Sequence, residues 1–254
     1  MPSLAYKMMR RDRLVIISGM VAITTLAWAY LVVMPKGMMH DLGPSTHDNY
    51  QYIKLTMSIL MWSVMMVAMM LPTASPMVLT YAKMNRSQSK SDKVALETGL
   101  FVAGYIVVWS VFSFVFALLQ EGLQDFGLIS KMMGKANLLF GGLILITAGI
   151  YQFTPLKEAC LRLCQTPLGF LMTRWKDGTI GAFQMGSKHG IYCVGCCWAL
   201  MLLMFAGGVM NLLLMALLAV FMLAEKMVPP SHWLPKVFGV GLIVWGGTLL
   251  VTNV

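Results

Sequence analysis

Seven apolar windows alternate with short polar segments along the chain, at roughly 14–34, 56–79, 97–119, 136–153, 191–206, 209–225 and 236–252. Long uncharged apolar runs are the mark of helices that cross a bilayer. The pattern predicts an all-α fold, a polytopic transmembrane helical bundle that forms a single integral membrane domain over 1–254 with about seven spans. The fifth and sixth windows are short and meet at Gly207-Gly208, so a single interrupted helix and a count of six is the alternative.

Composition agrees: 58% of the 254 residues are hydrophobic and 11% are charged. The net charge of +9 could suggest a nucleic-acid partner, but the basic residues cluster between the apolar windows, where membrane topology explains them and lipid is the expected partner. Segments 1–13, 82–96, 154–190 and 226–236 hold 15 of the 19 Lys and Arg, while Lys36, Lys54, Lys131 and Lys135 fall in the alternate segments. That split predicts a cytoplasmic N-terminus and an external C-terminus. The first window lacks a small-residue cleavage site and reads as a retained helix.

All five cysteines fall in two pieces that bracket the segment 154–190. In KHGIYCVGCCWALMLLM, Lys188–Met204, a helix puts Cys193 on one face with Cys196 at i+3 and Cys197 at i+4. One turn back the face takes in His189, and a few turns on it takes in Met204. The other piece reads as a short amphipathic helix at the inner membrane surface. Thr154 caps it, Pro155 opens it, Pro167 closes it, and Cys160 and Cys164 share a face. Between the pieces, Arg174, Lys176, Gly178, Gly181 and Gly186 read as a flexible basic loop. A single buried cysteine is ordinary apolar packing. Three within five residues beside a histidine are the soft-to-borderline donors that copper and zinc select. The expected ligands are Cys193, Cys196, Cys197, Cys160 and Cys164 with His189 nearby, holding Cu(I), with zinc as the alternative.

The second window, MSILMWSVMMVAMMLPTASPM, repeats Met57, Met61, Met65 and Met69 at i+4, with Met66 and Met70 as a second ridge. Such a ladder either passes a soft cation along or packs adaptably, which makes Met61, Met65 and Met69 candidates for a path. Pro72 and Pro76 each remove a backbone donor and predict a kink or unwinding. Glu225 ends the sixth window and needs a partner there, either Lys226 or Lys188, or a place behind a metal ligand. Gly141, Gly142 and Gly149 allow close helix approach. The segment 35–55 holds Met38, Met39, His40, Asp41, His47 and Asp48 without tight spacing and reads as a solvated loop.

The blocks MMVAMMLPTASP (65–76), YQFTPLKEACLRLC (151–164), KHGIYCVGCCWALM (188–201), GVMN (208–211) and the Glu225-Lys226 pair carry a resemblance. Together they resemble a widespread bacterial family of integral membrane proteins described as predicted metal-binding, with copper the suggested ion. The Gly-Cys-Cys-Trp at 195–198 is the most specific part. The resemblance implies a helical protein of the bacterial inner membrane that binds a soft metal. Such a protein would store or deliver the ion, or serve as an accessory subunit of a copper-dependent membrane enzyme, in a homo- or hetero-oligomeric complex. One alternative is a membrane thiol-disulfide oxidoreductase using Cys193/Cys196 and Cys160/Cys164; cytoplasmic placement of the thiols, which keeps them reduced, argues against it. A structural subunit of a larger membrane complex is the other. The sequence holds no hydrolase triad, phosphate loop or nucleotide fingerprint, and no catalytic residue is assigned.

Overall fold

The structure, a computed structural model, describes residues 2–33, 47–88, 93–130, 134–228 and 233–252. Among the described residues there are nine α-helices and no strand beyond a single bridge between Ile129 and Ala136. In chain order they are α1 (Pro2–Val33), α2 (His47–Gln88), α3 (Val94–Asp125), α4 (Leu138–Tyr151), α5 (Pro155–Gln165), α6 (Pro167–Arg174), α7 (Gly178–Gly207), α8 (Leu212–Met227) and α9 (Trp233–Val251). The candidate ligands Met38, Met39, His40 and Asp41 lie outside the described residues, as do the side chains of His47 and Asp48.

Among the described residues, five helical segments are long and apolar enough to cross a membrane: Arg13–Val33, Tyr52–Ser87, Val94–Asp125, Gly178–Gly207 and Trp233–Val251. A sixth is available if Leu138–Tyr151 and Pro155–Gln165, bent by 65° at their junction, count as one. The expected seven spans are therefore not all present as full helices. At 1.5 Å per residue the 14 residues of α4 rise only about 21 Å and the 16 of α8 about 24 Å, against a hydrocarbon core of about 30 Å. The bend after α4 has a local cause. Pro155 has no N–H to continue the ladder, and Thr154 Oγ1 accepts the backbone N–H of Lys157 to start a new helix.

Of the two outcomes expected at the prolines of α2, unwinding does not occur. The helix stays continuous through Pro72 and Pro76. Pro72 leaves the carbonyl of Ala68 without its usual i+4 donor, and Trp28 on α1 supplies one from Nε1 at 3.2 Å. The broken ladder thus becomes a tie between α1 and α2.

The helices pack in a chain of close neighbours, α1 on α2, α2 on α3, α3 on α7, and α7 on both α4 and α5, with α9 against α4 and α8 against α2. Glycine sets the two closest crossings. A Cβ at Gly186 of α7 would run into the backbone carbonyl of Phe101 on α3, and one at Gly104 would meet the carbonyl of Phe183. On the other side, Gly142 faces the carbonyl of Gly246 and Gly149 that of Gly239, which fixes α4 on α9. Gly142 and Gly149 thus play the expected part, whereas Gly141 has only an ordinary contact with Ala136. Packing of this kind also explains why the stretch through Gly178, Gly181 and Gly186, read as a flexible loop, is the first three turns of α7.

Candidate metal centre

The centre sits where α7 is enclosed by α2, α3, α5 and α8. Cys193, Cys196 and Cys197 occupy one face of α7, as i+3 and i+4 spacing requires, and all three are at most 1% exposed. Their sulfurs lie within 4.8 Å of one another. Three thiolates bound to one ion at about 2.3 Å stand roughly 4 Å apart, so the triangle already has about the size a shared ion needs. The thiols of Cys196 and Cys197 turn back to the carbonyl of Cys193, at 3.1 and 2.8 Å.

Three neighbouring helices bring further partners to the sulfurs. From α3, the hydroxyl of Tyr105 sits 3.1 Å from Cys193 Sγ and also lies 3.1 Å from the carbonyl oxygen of Met70. From α8, Lys226 Nζ donates to Cys193 Sγ at 2.9 Å and to Thr73 Oγ1 at 2.8 Å. From α2, Met70 Sδ stands 4.0 Å from Cys197 Sγ. Lys226 is buried and, among the described residues, no carboxylate is bonded to it, so the sulfur of Cys193 is its natural counter-ion. An ammonium there compensates the charge of a bound thiolate.

The second cysteine piece reaches the first. On α5 the Cys164 thiol faces Cys193 and Cys196 and is buried. Cys160 is half-buried, and its sulfur stands 2.7 Å from where a Cβ on Gly195 would be, so only glycine fits opposite it. The hydroxyl of Tyr151 holds the Gly195 carbonyl, and its ring meets Trp198 edge-on at 5.0 Å. The Gly-Cys-Cys-Trp stretch is thereby fixed between α4 and α5.

His189 and Met204 are both buried on α7. His189 is buried one turn before Cys193, but its ring lies among Phe101, Tyr105 and Phe170 at centroid distances of 6.2, 5.5 and 5.9 Å, and it is outside the sulfur cluster. Its Nδ1 has no hydrogen-bond partner among the described residues. Met204 is buried on α7 about 10 Å of helix rise beyond Cys197. Met61, Met65 and Met69 are buried in α2.

Glu225 does not pair with Lys226 or Lys188. Its carboxylate accepts Lys157 Nζ at 2.6 Å, and both side chains are at most 2% exposed. Lys157 also donates to Gln152 Oε1, while Gln165 Nε2 donates to the Glu225 carbonyl at 2.8 Å. A polar knot on α5 and α8 therefore stands directly behind Lys226. Tyr105 and Thr73 are parts of the site that sequence reasoning missed, while Lys226 entered it only as a partner for Glu225 and Lys157 only as part of the α5 segment.

Among proteins of known family, residues 59–249 match the family model described as "PpoB2: Copper chaperone". No curated protein and no solved structure matches. The matched span contains every residue of the centre.

Proposed function

The chain belongs to the PpoB2 copper chaperone family, and from that premise we propose that it is a membrane-embedded carrier of Cu(I). It receives the ion as cargo, holds it between Cys193, Cys196 and Cys197, and gives it up to a copper-dependent acceptor. Cys164, buried on α5 and facing Cys193 and Cys196, is a further sulfur at hand. Met70 on one flank and the half-buried Cys160 on the other extend the sulfur lining. His189 does not belong to this ligand set. The observation that carries the reading is the buried sulfur triangle with an ammonium against one corner. Thiolate sulfur selects Cu(I) over the hard cations, and burial keeps the ion from water and oxidants. Zinc, which takes four ligands at structural sites, would need Cys164 as its fourth.

Five to six apolar helices among the described residues support a membrane location. The basic residues of 82–96 and 154–190 support a cytoplasmic face for the α5–α6 side, and a bacterial inner membrane is the setting that fits. On that face the centre would load from, or deliver to, the cytoplasmic side of the bundle.

The test is the Cu(I) content and affinity of full-length protein in detergent, read by competition with a coloured Cu(I) chelator. About one ion per chain is expected, lost when Cys193→Ser and Cys196→Ser are combined, because a hydroxyl is a poor ligand for a soft ion. Unchanged copper retention in that double variant would refute the reading.

A further inference from the structure

We propose that the molecule has a second soft-metal site, a thioether-lined cavity that loads Cu(I) and feeds it along α2 to the cysteine centre. This rests on the copper reading above and adds a route to it. The cavity has a volume of about 50 Å³ and lies between α1, α2 and the start of α8. Four of its eight wall residues are methionines, Met61, Met65, Met210 and Met215, and the other four are leucine and valine. Met61, Met65 and Met215 are at most 2% exposed. Met210 is half-buried at the rim, in the break between α7 and α8.

Among the described residues the wall offers no oxygen or nitrogen side chain, and so lacks the side-chain donors that hard cations prefer. Thioethers are neutral and soft, and the ions they suit are Cu(I) and its analogue Ag(I). Methionine is also the common filler of irregular gaps. Gap-filling is a poor account here, because four flexible side chains surround a space and leave it open.

The cavity connects to the centre through a buried run of sulfur. On α2, Met65 is followed at i+4 by Met69, and Met66 at i+4 by Met70, and all four are at most 2% exposed. Met65 to Met70 covers about 7.5 Å of helix rise. Met70 Sδ then lies 4.0 Å from Cys197 Sγ. An ion moving this way goes from neutral, weakly holding donors to a thiolate triangle with a compensating ammonium, so the transfer runs downhill toward the cysteines. Each step exchanges one sulfur ligand for another, and the ion stays Cu(I) throughout.

The experiment uses the full chain in detergent, with Met61→Leu, Met65→Leu, Met210→Leu and Met215→Leu combined; leucine keeps volume and apolarity and removes the sulfur. Cu(I) is presented as its bathocuproine complex, and arrival at the cysteines is followed by thiolate-to-copper absorption. The expected result is loading about tenfold slower with the final stoichiometry and chelator-competition affinity unchanged. The unchanged affinity is also the check that the variant is folded. Met210→Leu alone, at the half-buried rim, is the milder variant and should slow loading about threefold. Wild-type loading rates in both would overturn the proposal. A second arm keeps its failure distinct from failure of the copper reading. In a chain with Cys193→Ser, Cys196→Ser and Cys197→Ser, calorimetry with Ag(I) should show weak uptake that the four methionine substitutions remove. Absence of any methionine-dependent Ag(I) uptake overturns the loading site even where the wild-type cysteines bind copper.

Discussion

The two ends of the sulfur-rich interior differ in how their sulfur is held. Around Cys193 every sulfur has a polar or charged neighbour: Tyr105 and Lys226 on Cys193 itself, the Cys193 carbonyl under Cys196 and Cys197, and the Lys157–Glu225 pair behind them. Around Met61 and Met65 the wall is leucine, valine and more methionine, and no charged side chain lines it among the described residues. Both ends are buried and both are rich in soft donors, yet only the first has the electrostatics to keep an ion. The contrast separates two jobs that one ligand type cannot do alone. A charged, hydrogen-bonded sulfur cluster binds tightly, and an uncharged one binds weakly enough to let go.

The largest expected effect comes from removing the cluster's own sulfur. Combining Cys193→Ser with Cys196→Ser should weaken Cu(I) binding by about a hundredfold or more, measured by chelator competition. An equal loss from substituting Met61 and Met65 would erase the distinction between the two ends.

Next is the polar knot. Lys157→Ala leaves the Glu225 carboxylate buried without its cation, and breaking a buried pair in this way costs about 3–5 kcal/mol. Thermal unfolding in detergent should show the loss, and Lys157→Ala combined with Glu225→Leu should recover much of it. Failure of the double variant to recover would mean that the pair does more than neutralise itself.

A smaller effect is expected from the ammonium. Lys226→Met keeps the bulk and removes the charge beside Cys193, and Cu(I) affinity should fall about tenfold. The dependence should be absent at the methionine end, where Ag(I) uptake in the cysteine-free cluster should not respond to Lys226→Met.

How much of this could be read in the sequence differs between the same two ends. The cysteine triangle is local, since i, i+3 and i+4 positions must share a helix face, and it was legible at once. So was the α5 cap, because Thr154-Pro155 is a short-range signal. The partners of the triangle were not legible. Tyr105, Met70 and Lys226 are separated from their sulfurs by 88, 127 and 33 positions, and no local period links them. In helices that are apolar nearly all round, the pattern does not reveal which face meets which neighbour.

Long-range packing also decides what surrounds His189, and breaks in the backbone decide how many full spans form. His189 sits one turn from Cys193, and the aromatic rings of α3 and α6 pack around its side chain. The seven-span count treated apolar composition as span length, whereas Pro155 and the break at Gly208 end α4 and separate α8 before either is long enough. Gly208 has φ +96°, which only glycine adopts readily, so that break is built into the backbone.

The smallest effect on the centre should come from the far side of α4. Gly149→Val would press a side chain into Ile243 and the Gly239 carbonyl and loosen α9, lowering the unfolding temperature while leaving Cu(I) affinity within about twofold. A large affinity change there would mean that the centre depends on the whole bundle and not on the α3–α7–α8 contact alone.

The most direct test of the central claim is X-ray absorption at the copper edge on the full chain loaded with about one equivalent of Cu(I). The account predicts a first shell made only of sulfur, with an oxygen or nitrogen contribution appearing and copper content falling when Cys193→Ser and Cys196→Ser are introduced. A nitrogen- or oxygen-dominated shell in the wild-type chain, or a spectrum unaffected by those two substitutions, would contradict it.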